Sequence, residues 1–166
     1  DTDRFRFIAD PIHYVLLEMI ALKTFKPRAA WIQKHLRGNY TPSQVEEALQ
    51  RLETLGLLTR KGTWKKTTPR IKSSEDIPSD ALIQFHQACL KFAAQALTEQ
   101  TSQEREISSS TLSMRLKDLP EAKSFIREIR RQFAQKFESQ EGEGDETYQF
   151  NIQLFQMTKN RSRGKK

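Results

Sequence analysis

The chain has 166 residues, 36% of them hydrophobic, enough for one large domain or two small ones around a modest core. Charged residues make up 30%, and 28 Lys and Arg against 21 Asp and Glu leave +7 and a pI of ≈ 9.6, a balance that favours an anionic partner such as nucleic acid. The lone cysteine, Cys89, excludes an internal disulfide framework, and neither a signal peptide nor a ~20-residue apolar span is visible, so a cytoplasmic protein with no membrane contact is expected.

Asp1 rather than Met opens the sequence, as expected of a piece of a longer protein. From Pro11, the apolar positions Ile12, Val15, Leu16, Met19 and Ile20 recur at helical spacing and predict a first helix. Pro27 opens a second, short helix with Trp31, Ile32 and Leu36 on one face, and Gly38 stops it. Thr41, Pro42, Ser43 and Gln44 spell a capping box with proline at the first helical position, so a third helix begins there. Its apolar stripe is Val45, Ala48, Leu49, Leu52 and Leu55, and Gly56 ends it.

Residues 57–67 read as two short β segments around Lys61 and Gly62. Trp64 in the second segment is expected to fold inward over Leu57 or Leu58. Three helices followed by a small basic hairpin is the order of a winged helix-turn-helix.

Residues 73–79 read as a linker, with Ser79 capping a fourth helix whose stripe is Leu82, Phe85, His86, Cys89, Ala93, Ala96 and Leu97, with Phe92 at its edge. Residues 106–116 suggest a strand through Ile107, Thr111, Leu112 and Met114, weakened by the run Ser108, Ser109 and Ser110. Asp118 and Pro120 start a fifth helix with Ala122, Phe125, Ile126, Ile129, Phe133 and Phe137 on its expected buried side. After the acidic, glycine-rich loop at 141–145, Tyr148, Phe150, Ile152 and Leu154 alternate with Gln149, Asn151 and Gln153, the period of a half-buried strand.

The expected fold is therefore helix-rich α+β, an N-terminal winged helix-turn-helix followed by an α-β-α-β C-terminal half. Its divisions are a winged helix-turn-helix domain at 1–72, a linker at 73–79, an association or sensing domain at 80–158 and a basic tail at 159–166. The tail carries Lys159, Arg161, Arg163, Lys165 and Lys166 with no acid, which suits a solubilising extension or a DNA-grasping arm. The strand, helix, strand order permits a parallel pair with a right-handed crossover, but two strands alone are marginal, so a further partner is expected from the fourth helix, the wing domain or a second subunit.

The segments "FKPRAAWIQKHL" from Phe25, "EEALQRLETLGLL" from Glu46, "GTWKKT" from Gly62, "FHQACLKFAAQAL" from Phe85 and "YQFNIQLFQMT" from Tyr148 span nearly the whole chain. In their order and spacing the chain resembles an uncharacterised bacterial family, met as large paralogous sets, whose members are taken to be transcriptional regulators. The resemblance implies regulation and an additional upstream helix-turn-helix segment, but supplies no ligand, operator or catalytic residue. Where relatives tend to read Phe-Pro at the end of the last strand, this chain has Phe155 and Gln156.

A helix-turn-helix lays its second helix in the major groove, so Ser43, Gln44, Glu47, Gln50 and Arg51 are the prospective base contacts. Gln can pair with adenine and Arg with guanine, yet Glu46, Glu47 and Glu53 against Arg51 leave that helix acidic, which opposes phosphate. The flanks compensate. Lys23, Lys26, Arg28, Lys34 and Arg37 precede it, and Arg60, Lys61, Lys65, Lys66, Arg70 and Lys72 follow, with no acid among either set.

The expected partner is double-stranded DNA, gripped chiefly by Arg28, Lys34, Arg60, Lys61, Lys65 and Lys66. The rival is a winged helix that binds a protein partner instead of DNA, which the acidic third helix favours; RNA binding through the wing and tail is a third reading. No cofactor, metal or enzymatic activity is expected. His13, His35 and His86 fall on three different helices, His86 and Cys89 lack further zinc ligands, and no phosphate-binding glycine loop is present.

Overall fold

The structure, a computed structural model, describes residues 2–67 and 79–159. It is helix-rich α+β. In chain order the elements are α1 (Thr2–Ala9), α2 (Ile12–Met19), α3 (Ala29–His35), α4 (Pro42–Thr54), β1 (Leu58–Thr59), β2 (Lys65–Lys66), α5 (Asp80–Glu99) and α6 (Leu119–Phe137), the last preceded by a 3-10 turn at Leu116–Asp118. The five expected helices are α2 to α6. The sixth, α1, was not signalled: it buries only Phe7, and its apolar content is too sparse to show a period.

The ends of α4 are fixed by the side chains that the sequence places there. Thr41 Oγ1 accepts from Gln44 N at 3.2 Å, and Gln44 Oε1 accepts from Thr41 N at 2.8 Å, closing the capping box before Pro42. At the other end Leu57 N donates to Leu52 O at 2.8 Å and Gly56 N to Glu53 O at 2.9 Å. That is a Schellman closure, and it requires the left-handed backbone that Gly56 adopts at φ 70°. The chain then leaves into the hairpin, where β1 and β2 pair antiparallel with Leu58 opposite Lys66 and Thr59 opposite Lys65.

The core lies in the first half. Phe7, Ile12, Leu16, Leu17, Met19, Ile20, Leu22, Ile32, Val45, Ala48, Leu49, Leu52 and Leu58 form one cluster, with Phe25, Trp31, Leu55 and Trp64 half-buried against it. The stripes expected for α2, α3 and α4 are therefore the ones that pack. From the second half, α5 buries only Ala81 and Cys89, while His86 and Leu97 of its expected stripe are exposed. Phe85 of α5 meets Tyr14 of α2 edge-on at 5.2 Å, and Tyr14 meets Phe7 of α1 at 5.1 Å, so three helices are joined through aromatic rings.

Three expectations for the second half are corrected. No residue of α6 is buried, and Phe125, Ile129, Phe133 and Phe137 of its stripe are exposed, because no core element of the described chain lies against that face. Neither expected strand, 106–116 or 148–154, forms. No backbone group between residues 106 and 114, or between 146 and 159, bonds another backbone group of the described residues. Period-two patterning supplies a face, but a ladder also needs a partner in register, and the chain brings none alongside. The α-β-α-β order of this half is thus two helices joined and followed by irregular chain.

Beside the packing of α5 on α1 and α2, a main-chain contact fastens the second half to the first. Gly144 forms a parallel bridge with Leu22: Lys23 N donates to Gly144 O at 2.8 Å, and Gly144 N and Gly142 N donate to Ala21 O at 3.0 and 3.1 Å. Lys23 Nζ adds an exposed ion pair to Asp145 at 2.9 Å. A Cβ on Gly144 would stand 3.2 Å from Ala21 O, tighter than an ordinary contact, so glycine lets the loop approach without displacing that carbonyl. The expected linker at 73–79 falls, all but Ser79, outside the described residues, as does the basic tail beyond Lys159.

Candidate nucleic-acid interface

Helix α4 presents Ser43, Gln44, Glu46, Glu47 and Gln50 as exposed side chains, opposite the buried Val45, Leu49 and Leu52. Three of these are already engaged locally. Gln44 is half of the capping box, and Ser43 Oγ donates to Glu47 Oε1 at 3.3 Å.

Arg51, expected to read a base, points elsewhere. Its side chain is 12% exposed and pairs with Asp3 of α1 at 3.1 Å, while Nη1 donates to His13 Nε2 at 3.1 Å. His13 is buried, and its Nδ1 lies 3.0 Å from Asp10 O. Asp10 Oδ1 in turn accepts from Ile12 N at 3.0 Å and from Tyr40 Oη at 3.1 Å. Burial first, and then the Asp10 carboxylate, hold the Tyr40 phenol far above its ordinary range. This network lies beneath α4 and ties it to α1 and α2.

Two of the hairpin cations are likewise committed. Arg60 bridges Glu46 at 2.8 Å and Glu53 at 2.7 Å, and its guanidinium lies 5.4 Å from the Trp64 ring centre. Its hydrogen bond to Glu53 holds that carboxyl below the usual carboxylate range and raises the guanidinium in return. Lys66 Nζ reaches Glu18 of α2 at 2.7 Å. The consequence for α4 is electrostatic: two of its three acids share one cation that does not belong to it, which offsets one of their two charges.

Arg28, Lys34, Lys61 and Lys65 are exposed and have no carboxylate partner among the described residues. Arg28 is the N-cap of α3, and Lys34 is in its last turn. Phe25 sits 5.7 Å from Trp31 of α3 and 5.8 Å from Trp64 of the hairpin, so one aromatic cluster ties the helix bearing Arg28 and Lys34 to the hairpin bearing Lys61 and Lys65. Trp64 therefore folds inward, as its position predicted. Arg70 and Lys72 lie outside the described residues.

Beside α4 runs an open cleft of about 730 Å³, lined on α4 by Gln44, Glu47 and Arg51 and on α5 by Gln84, Lys91 and Gln95. The turn between α3 and α4 closes one end at Gly38, φ 98°, where a Cβ would stand 2.9 Å from the Tyr40 ring and 3.2 Å from Phe92. Residues that sequence reasoning missed here are Asp3, Asp10, His13 and Tyr40. A signal was available only for Asp10, whose position before Pro11 marks the turn it caps.

No described helix is long and apolar enough to cross a membrane, and no group of three or more His, Cys, Asp or Glu among the described residues is placed to hold a metal ion. Neither a curated protein nor a solved structure matches the chain. The family model described as "Domain of unknown function (DUF4423)" matches residues 1–157, and the chain belongs to that family.

Proposed function

We propose that the protein is a regulator that acts by binding rather than catalysis, docking its first half on duplex DNA as a winged helix. Helix α4 enters the major groove with Ser43, Glu47 and Gln50 outward, and Arg28, Lys34, Lys61 and Lys65 meet phosphates on either side. The observation that carries the reading is the Arg60 bridge to Glu46 and Glu53, which ties up two of the three carboxylates of this helix and offsets one unit of the negative charge that would otherwise keep it from DNA. Arg51 and Lys66 support the frame rather than the contact, and Lys26, exposed in the same region, adds a fifth phosphate ligand.

Fluorescence anisotropy on mixed-sequence duplex over a salt series tests this. Five phosphate contacts give log affinity falling with log salt at a slope of about −4 to −5, and Lys61→Glu with Lys65→Glu weakens binding and flattens the slope by about 2. No binding at 50 mM salt rejects the reading. A protein-binding winged helix is the second reading. Favouring it is the internal use of Arg51, Arg60 and Lys66, three of the cations expected to face DNA.

A further inference from the structure

We infer that the open face of the second half is covered by a second copy of this chain, through antiparallel pairing of residues 148–154 with the same residues of the copy and burial of the α6 stripe.

Area comes first. The chain exposes 13105 Å², whereas a compact chain of 19.4 kDa exposes about 8500 Å². Setting aside the undescribed residues at the area of an unfolded chain still leaves an excess of about 2000 Å². A stable interface takes about 800 Å² from each partner and an obligate homodimer more.

Large apolar residues stand exposed along this half. Phe125, Ile129, Phe133 and Phe137 of α6, Ile107, Leu112 and Met114 before it, and Tyr148, Phe150, Ile152 and Leu154 after it are all large and exposed. Phe150 touches Phe133 at 4.3 Å, so the helix stripe and the alternating segment meet in one surface.

The chemistry of the edge selects the partner. From Thr147 to Thr158 the sequence holds no Lys, Arg, Asp, Glu or Pro, so none of the devices that keep strands from pairing is present. Its backbone donors and acceptors bond no backbone group of the described residues, and two identical uncharged edges meet without repulsion. In a two-fold dimer, residue i faces j and j faces i. The register that keeps all four apolar residues together is centred on Asn151, with Tyr148 opposite Leu154 and Phe150 opposite Ile152.

Light scattering and sedimentation on the full chain at 20 μM should give about twice 19.4 kDa. A monomer overturns the inference and leaves the face to a different protein. Phe150→Lys with Ile152→Lys should return the mass to that of one chain while the helical circular dichroism of the first half persists; an unchanged dimer overturns the assignment.

Should that variant fail to fold, single cysteines in a Cys89→Ala background decide it. Asn151→Cys would face its own counterpart at about 5 Å between Cα atoms, within disulfide reach, whereas Gln149→Cys would stand about 14 Å from its own. Mild oxidation should cross-link the first and spare the second. Equal cross-linking of both, or none of either, rejects this pairing.

Discussion

His13 is 1% exposed, yet each ring nitrogen has a partner. Arg51 offers only N–H groups, so Nε2 must accept and the proton sits on Nδ1, donated to Asp10 O. Burial, chiefly, and the Arg51 charge hold the imidazole below its usual 6.5, against the opposing pull of Asp10. The unfolded chain therefore takes up this proton first as pH falls. The site's stabilisation is complete above pH 6.5 and declines between 6.5 and the lower folded value. His13→Gln, which can accept from Arg51 and donate to Asp10 O, should narrow the difference between urea midpoints at pH 7.5 and 5.5. An unchanged difference would place the acid sensitivity elsewhere. Partners of this kind were not legible in sequence: Arg51 to Asp3 and Lys66 to Glu18 each span 48 positions, and no local pattern announces a pairing that only the packed helices create.

Among elements, those with local instructions were the readable ones. Thr41 and Gln44 write the start of α4, Gly56 its end, and Ser79 the start of α5, accepting from Leu82 N at 3.2 Å. The segments at 106–116 and 148–154 carry the alternation of strands without the partner that would make them so, and a single chain's sequence does not say where a ladder must come from. The stripe of α6 was equally legible as apolar and misread as buried for the same reason. The Gly144 loop went unread because its acidic, glycine-rich composition looks like any turn. Its hydrogen bonds to Ala21 and Lys23 are main-chain and leave no side-chain signature. Gly144→Val would drive a side chain into Ala21 O, which a Cβ already approaches to 3.2 Å, and should cost about 1–3 kcal/mol by urea denaturation. Faster hydrogen exchange at the Lys23 amide would locate the loss; unchanged protection there would show the loop to be dispensable.

Taken as a whole, the molecule is lopsided: a packed, cation-flanked first half and a second half that turns its large apolar residues outward. With a two-fold axis through the second half, the first halves would be presented as a pair, the arrangement by which helix-turn-helix proteins match two half-sites on one duplex. Cys89 lies where the halves meet, 2% exposed on α5, its carbonyl accepting from Asn151 Nδ2 at 3.1 Å, and burial pushes its thiol up to about 11. At pH 8 only about one thiol in a thousand would be thiolate, and the sulfur is shielded as well. The chain thus contains a native clock for its own loosening. Iodoacetamide should label it at least a hundredfold more slowly in buffer than in guanidinium. The residual rate would time how often α5 lifts from its neighbours, with no label engineered in.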